Sequence, residues 1–307
     1  METRRIGSLE VSVVGLGCNN FGGRLDADAT AAVVHAALDA GIDFLDTADI
    51  YGKGLSEEYV GRAIRDRRDD VVLATKFGKP MDERRRGGRP AYVRQACDDS
   101  LRRLGVERID LYQMHEPDPD VPIGETLGAL QELVREGKVR EIGCSNFSAA
   151  QLREADAAAR GGPRVVSVQN EYSLLHREPE QDVLPECERL GIAFIPYFPL
   201  ASGLLTGKYR KGKPIPPGSR LSDTRWAQRI HADQRLDQVE ALIAFAEERR
   251  HSILELAISW LLTRPMVASV IAGATKPEQA RANAAAATWR LSPAELAELD
   301  QLLQQPA

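Results

Sequence analysis

Four side chains able to move a proton stand at equivalent places in successive segments of this chain. Asp46 and Tyr51 follow the apolar pair Phe44-Leu45, Lys76 closes the run that begins at Val71, and His115 closes the run that begins at Ile109. A carboxylate, a phenol, an ammonium and an imidazole brought together suit proton delivery to a carbonyl oxygen. A free phenol, with a pKa of ~10, holds its proton too tightly for efficient donation near neutral pH, and an adjacent ammonium stabilises the phenolate. Lys76 supplies that charge, Asp46 keeps Lys76 protonated and in place, and His115 bonds the substrate oxygen. Singly, each has a plainer reading: Asp46 caps a helix, Lys76 is a surface charge, His115 is a satisfied core imidazole, Tyr51 packs in a loop. Jointly, those readings require four coincidences at one end of one architecture.

That architecture follows from the pattern around them. Short runs rich in Val and Ile alternate with longer stretches at helical spacing, the mark of repeated β-α units on a parallel sheet. Eight strands are predicted: Val13 to Gly17, Phe44 to Asp46, Val71 to Lys76, Ile109 to His115, Glu141 to Ser145, Val165 to Gln169, Ala193 to Tyr197 and Val267 to Ile271. Eight strands predict a closed (β/α)8 TIM barrel, one domain over residues 1–307, with polar groups at the C-terminal strand ends forming the site. Arg4 to Val11, broken by Gly7-Ser8, predicts a β-hairpin over the other end. Capping boxes are expected at Ser148 to Gln151, Thr275 to Glu278 and Ser292 to Glu295, and helix stops at Gly41, Gly105, Gly137 and Gly191. From Ser202 to Asp233 no period holds, so a long loop is expected, followed by two helical patterns, one of them extra to the repeat.

Composition excludes other classes. A net charge of -5 spread among scattered acids and bases gives no nucleic-acid footprint. No apolar run approaches the ~20 residues of a membrane helix and no apolar segment follows the charged start, which predicts a cytoplasmic protein. Cys18, Cys97, Cys144 and Cys187 lack CxxC spacing, and His115-Glu116-Pro117 lacks the second histidine of a zinc helix, so no metal site is expected. Gly15-x-Gly17 has Asn20 where a dinucleotide fingerprint needs its third glycine, no Walker sequence occurs, and Gly143 to Phe147 lacks the last glycine of a nucleophile elbow.

The chain resembles the aldo-keto reductases over nearly its whole length, in a bacterial branch. The motifs are Asp46-Thr47-Ala48 with Tyr51-Gly52, Ser56-Glu57-Glu58, Thr75-Lys76-Phe77, Ile109 to His115, Gly137 to Arg140, Ile142 to Phe147, Gly273 to Gln279 and the loop opening at Leu204 to Tyr209. The resemblance places the catalytic tetrad on Asp46, Tyr51, Lys76 and His115. It implies an extended NADP(H), with NAD(H) the less favoured form, across the barrel mouth. Ser145, Asn146 and Gln169 would meet the nicotinamide carboxamide and Tyr197 would stack on its ring, beside Gly17 and Asp46. Phe198, Pro199, Leu200, Ser202, Gly203 and Lys208 would line the pyrophosphate, while Arg220, Gly273, Thr275 and Lys276 would face the adenosine phosphate. Gln279 and Asn283 would reach the adenine end. Many relatives carry Arg at the position of Gln279 and Glu at that of Ala282.

The implied activity is NADPH-dependent reduction of an aldehyde or ketone, a small-molecule carbonyl, with Tyr51 as proton donor. Phe21, Phe77 and Trp226 are expected to wall an apolar substrate pocket beside Tyr51 and His115. Two alternatives share these residues: an alcohol or aldose dehydrogenase running the reaction in reverse, and a cofactor-binding regulatory subunit such as the channel beta subunits. The sequence leaves the oligomeric state open.

Overall fold

The computed structural model describes residues 1–222 and 232–304. The chain opens with the expected hairpin, β1 (Thr3–Ile6) and β2 (Leu9–Ser12), paired antiparallel. There follow β3 (Val14–Gly17), α1 (Ala27–Asp39), β4 (Phe44–Asp46), α2 (Leu55–Ala63), β5 (Val72–Phe77), α3 (Pro90–Leu104), β6 (Ile109–Met114), α4 (Ile123–Arg135), β7 (Val139–Ser145), α5 (Ala149–Ala158), β8 (Val165–Glu171), α6 (Val183–Leu190) and β9 (Ala193–Tyr197). After the long connection come α7 (Ala232–Glu248), α8 (Ile253–Leu262), β10 (Val270–Gly273), α9 (Pro277–Ala285) and α10 (Pro293–Gln304). β3 to β10 form one eight-stranded parallel sheet, a (β/α)8 TIM barrel with an N-terminal hairpin.

The last strand departs from expectation in an informative way. Val267 does not lie within β10; it pairs with Phe194 of β9, and Phe194 exchanges backbone bonds with Met266 and Ala268. The chain then crosses, and Val270 to Gly273 pair with Val14 to Gly17 of β3. One segment thus serves two neighbours in turn and joins the last strand to the first, satisfying both edges.

Strand alternation sorts residues to two cores. Phe44, Ala74, Leu111, Ile195 and Ile271 pack inside the barrel with Ile6, Leu9 and Val11 of the hairpin, which plugs the N-terminal end. Their strand neighbours Leu45, Leu73, Tyr112 and Val270 pack outward among the helices. At the C-terminal end the inward places go to Asp46, Lys76, Gln113, Ser145, Gln169 and Tyr197, each an even number of residues beyond an inward position.

Caps at Ser148 and Ser252 are complete boxes, and Ser292 with Glu295 makes the same reciprocal bonds. The box expected at Thr275 to Glu278 does not form: Gln279 instead reaches back, its Oε1 accepting from Thr275 N at 2.7 Å and Thr275 Oγ1 at 3.1 Å. Pro277 sets the helix start one residue later than that box requires, so Lys276 becomes the cap.

Candidate active site

Asp46 ends β4, Lys76 stands next to last in β5, and His115 follows β6, three adjacent strands in register: Asp46 opposite Ala74, Lys76 opposite Gln113. Lys76 is fully buried, and its Nζ donates to Asp46 Oδ2 at 2.5 Å and to Thr47 O at 2.8 Å. Asp46 Oδ1 accepts from Gln113 Nε2 and Gln169 Nε2, both at 3.0 Å, so three donors converge on one carboxylate. Burial works against the Lys76 ammonium, but Asp46 and the Tyr51 phenol outweigh it and hold its pKa above the ordinary lysine value. Lys76 is therefore charged throughout the neutral range.

Tyr51 enters from the turn after β4, with Lys76 Nζ 5.3 Å from its ring centroid and His115 edge-on at 5.8 Å. Burial is the strongest influence on the phenol and raises its pKa; the Lys76 charge and hydrogen bond pull the other way without reversing the balance. The expectation that Lys76 favours phenolate thus holds for its own contribution, whereas the net displacement is upward. His115 is 6 % exposed, and burial with the charges of Lys76 and Lys79 drives its pKa down to about 2. It is a neutral imidazole, its Nδ1 without a hydrogen-bond partner.

The side chains open on a cavity of about 1460 Å³ at the C-terminal end of the barrel, larger than the ~300–1,000 Å³ of drug-sized pockets. Along it lie all the residues that the resemblance assigns to a dinucleotide: Gly17, Asp46, Ser145, Asn146, Gln169, Tyr197, Phe198, Pro199, Leu200, Ser202, Gly203, Lys208, Arg220, Gly273, Thr275, Lys276, Gln279 and Asn283. Their donors and acceptors are partly committed to the wall. Asn146 Nδ2 donates to His115 O and Ser145 Oγ, and its Oδ1 accepts from the Tyr197 hydroxyl at 2.9 Å. Ser145 donates to Gln169 O at 2.7 Å, which leaves its oxygen able to accept.

The rest of the trough has the chemistry of an anion site. Phe198, Ala201 and Ser202 all take positive φ, of 50°, 44° and 59°, a cluster of unfavourable backbone conformations of the sort found at ligand clamps. Arg220 lies over the Phe198 ring at 5.8 Å and donates to Asn20 Oδ1. Lys276 caps α9, whose first turn presents backbone donors and a favourable dipole to an anion.

Two of the three expected apolar substrate walls, Phe21 and Phe77, do not line the cavity. Phe77 is fully buried on the outer side of β5, stacked on Tyr112 at 4.8 Å, because one strand cannot send both Lys76 and Phe77 inward. Phe21 is likewise in the outer core. Trp226 lies outside the described residues. Outside the expected dinucleotide set the cavity wall carries the polar Lys79, Glu116, Glu171, Ser173 and His176 as well as the apolar Leu25, Ile50 and Leu254. Gln113, which holds Asp46, was missed as a site residue, although its place two before His115 puts it on the same face.

Comparison with known proteins places these motifs in context. The model of the aldo/keto reductase family matches residues 13–304. A protein of Glycine max named probable aldo-keto reductase 1 is 36% identical over 298 residues, covering 94% of this chain and 85% of that protein. Among solved structures, the glycerol dehydrogenase of Gluconobacter oxydans superposes with a TM-score of 0.85 at 34% identity, over 98% of this chain and 94% of that one. A holo-form aldo-keto reductase of Bacillus halodurans gives 0.82 at 33% identity, over 100% and 97% of the two chains. No helix among the described residues is long and apolar enough to cross a membrane.

Proposed function

Because this chain belongs to the aldo/keto reductase family of nicotinamide-dependent oxidoreductases, we propose that it reduces a small aldehyde or ketone with NADPH, Tyr51 donating the proton. The observation that carries this reading is the fully buried Lys76, charged, anchored by Asp46 and facing the Tyr51 ring at the cavity. Ser145, Asn146, Gln169 and Tyr197 would hold a nicotinamide in the trough, and the cofactor so held would supply hydride for the carbonyl carbon.

The chain's own groups do the rest. His115, neutral and held by its position after β6, donates to or orients the substrate oxygen beside Tyr51. The Tyr51 O–H bond breaks as negative charge develops on that oxygen, and the Lys76 ammonium stabilises the phenolate left behind. Asp46 keeps Lys76 protonated, and Gln113 and Gln169 keep Asp46 aimed. Tyr197 forms the flat wall for the nicotinamide, its hydroxyl tied to Asn146. Lys208 and the strained turn at Phe198 to Gly203 receive the pyrophosphate, and Lys276 with Arg220 the adenosine phosphate, which favours NADP over NAD.

Lys79, Glu116, Glu171 and His176 on the cavity wall offer hydrogen-bond partners to a small hydroxylated carbonyl, in keeping with the glycerol dehydrogenase among its structural relatives. That relative also brings the reverse reaction, oxidation of an alcohol, within the same machinery. NADPH oxidation measured with glyceraldehyde, an aromatic aldehyde and a quinone tests the proposal: turnover of none of them, with NADPH or NADH, would refute it.

A further inference from the structure

The turn that carries Tyr51 hides a second carboxyl on its far side. Asp49 is 1 % exposed, and its side chain leaves the cavity for the layer between the barrel and the helices. There its Oδ2 has one distant donor, the Tyr92 hydroxyl of α3 at 3.5 Å, and its Oδ1 has no hydrogen-bond partner at all. The nearest cation does not serve it: Arg103 Nε is given to Glu57 Oε2 at 2.6 Å, and Thr75 gives its hydroxyl to the other Glu57 oxygen at 2.5 Å. A buried carboxylate whose one side-chain donor is distant, beside a second carboxylate that takes the arginine, is an arrangement that favours the neutral acid.

The backbone joins this acid to the reacting group. Asp49 N donates to Lys76 O at 3.1 Å, Lys76 Nζ donates to Thr47 O, and Tyr51 N closes the turn on Ala48 O. Residues 47–51 are therefore tied to Lys76 at two points, with Asp49 on one face and Tyr51 two residues on. A charge appearing at Asp49 would face the Glu57 carboxylate, which already takes the Arg103 ion pair, and that repulsion would bear on the turn.

We propose that Asp49 is a positioning residue for Tyr51: as a neutral acid it lets turn 47–51 sit against Lys76, and its ionisation displaces the phenol and closes down reduction from the alkaline side. The charged and titratable neighbours pull in both directions, with those that favour the neutral acid ahead. Burial, first, and then Glu57 of α2 push the Asp49 carboxyl up to about 7; Arg103 and Tyr92 of α3 and the Ile50 amide oppose this without cancelling it. From β6, Tyr112, with its own hydroxyl unpartnered, faces the same layer and is itself held protonated by burial and by Cys97, Asp49 and Glu57.

The proposal rests on the reductase reading of Tyr51, and its test separates the two. The efficiency of NADPH-dependent carbonyl reduction is measured from pH 5.5 to 9.5 in the parent and in Asp49→Asn, which is isosteric and permanently neutral. The parent should lose efficiency about tenfold per pH unit above roughly 7, the behaviour of a single ionisation, whereas Asp49→Asn keeps its plateau at least about one unit further. Tyr92→Phe, which removes the one side-chain donor to the carboxylate, should also move the limb upward. The midpoint of thermal unfolding reports the Asp49 proton without turnover: the folded acid holds its proton longer than the unfolded one, so the midpoint should fall as pH rises toward about 7, level off above it, and fall less in Asp49→Asn. Superimposable profiles in an active parent and Asp49→Asn, or a limb moved downward by Tyr92→Phe, would overturn this proposal alone. A parent inactive on every carbonyl would overturn the reductase reading and this proposal with it.

Discussion

Replacing Lys76 by Met separates what the buried ion pair contributes to stability from what it contributes to chemistry. The ammonium sits 2.5 Å from Asp46 Oδ2 with neither side chain more than 2 % exposed, so its loss leaves a carboxylate in the barrel without a counter-charge. Removing one partner of such a pair costs about 3–5 kcal/mol, and the two amide donors that Asp46 retains put the expected loss near the lower figure. Adding Asp46→Asn removes the stranded charge, and the double variant should return to within about 1 kcal/mol of the parent, since a neutral pair of similar volume replaces the ionic one. Activity should not return. Lys76 acts on the phenol by charge and by hydrogen bond, and losing a charge-assisted bond of up to about 3 kcal/mol should cost up to about a hundredfold in rate. The assays are urea unfolding and carbonyl reduction at saturating cofactor. A Lys76→Met protein as stable as the parent, a double variant no more stable than the single, or near-parental turnover in either would refute the reasoning.

Other outcomes follow from the same geometry. Arg220→Ala combined with Lys276→Ala should erase most of a preference for NADPH, because a charge-assisted hydrogen bond contributes about 1.5–3 kcal/mol before screening; equal efficiencies in the parent, or an unchanged ratio in the double variant, would contradict it. Gly143→Ala puts a methyl group 2.8 Å from Ser167 Oγ and 2.9 Å from Gln113 Cγ, displacing the amide that holds Asp46. It should cost about 1–3 kcal/mol in unfolding measurements and lower turnover more than it raises KM. Unchanged stability and kinetics would show that the Gln113 contact is dispensable.

The strand ends were legible because alternation and length constrain them together: Phe44 to Asp46 and Ala193 to Tyr197 fall as expected, and the hairpin's Gly7-Ser8 turn forms. The same alternation, applied strictly, excludes Phe77 as a cavity wall once Lys76 points inward, and it admits Gln113 alongside His115. The crossing of Val267 to Val270 from one neighbour to another has no local signal, since pairing partners lie some 70 to 250 residues away along the chain. Asp49 was hidden for a related reason. Its place in the motif Asp46 to Gly52 suggests the mouth of the barrel, and only the packing of α2 and α3 shows that it faces the other way. The Gln279 bond to Thr275 is similar: once Pro277 delays the helix and Lys276 becomes its cap, the amide one residue beyond the expected Glu278 takes the Thr275 donors.

The central claim is that the Tyr51 hydroxyl delivers the proton, and replacing it by Phe tests this most directly. The ring, its edge-on contact with His115 and its packing over Lys76 are kept, while the one transferable proton is removed. Cofactor affinity, read by fluorescence titration, should stay within about threefold of the parent, and the rate of carbonyl reduction should fall by at least about a hundredfold, the low end of general acid catalysis. Near-parental turnover in Tyr51→Phe would contradict the account, whatever the fate of the cofactor.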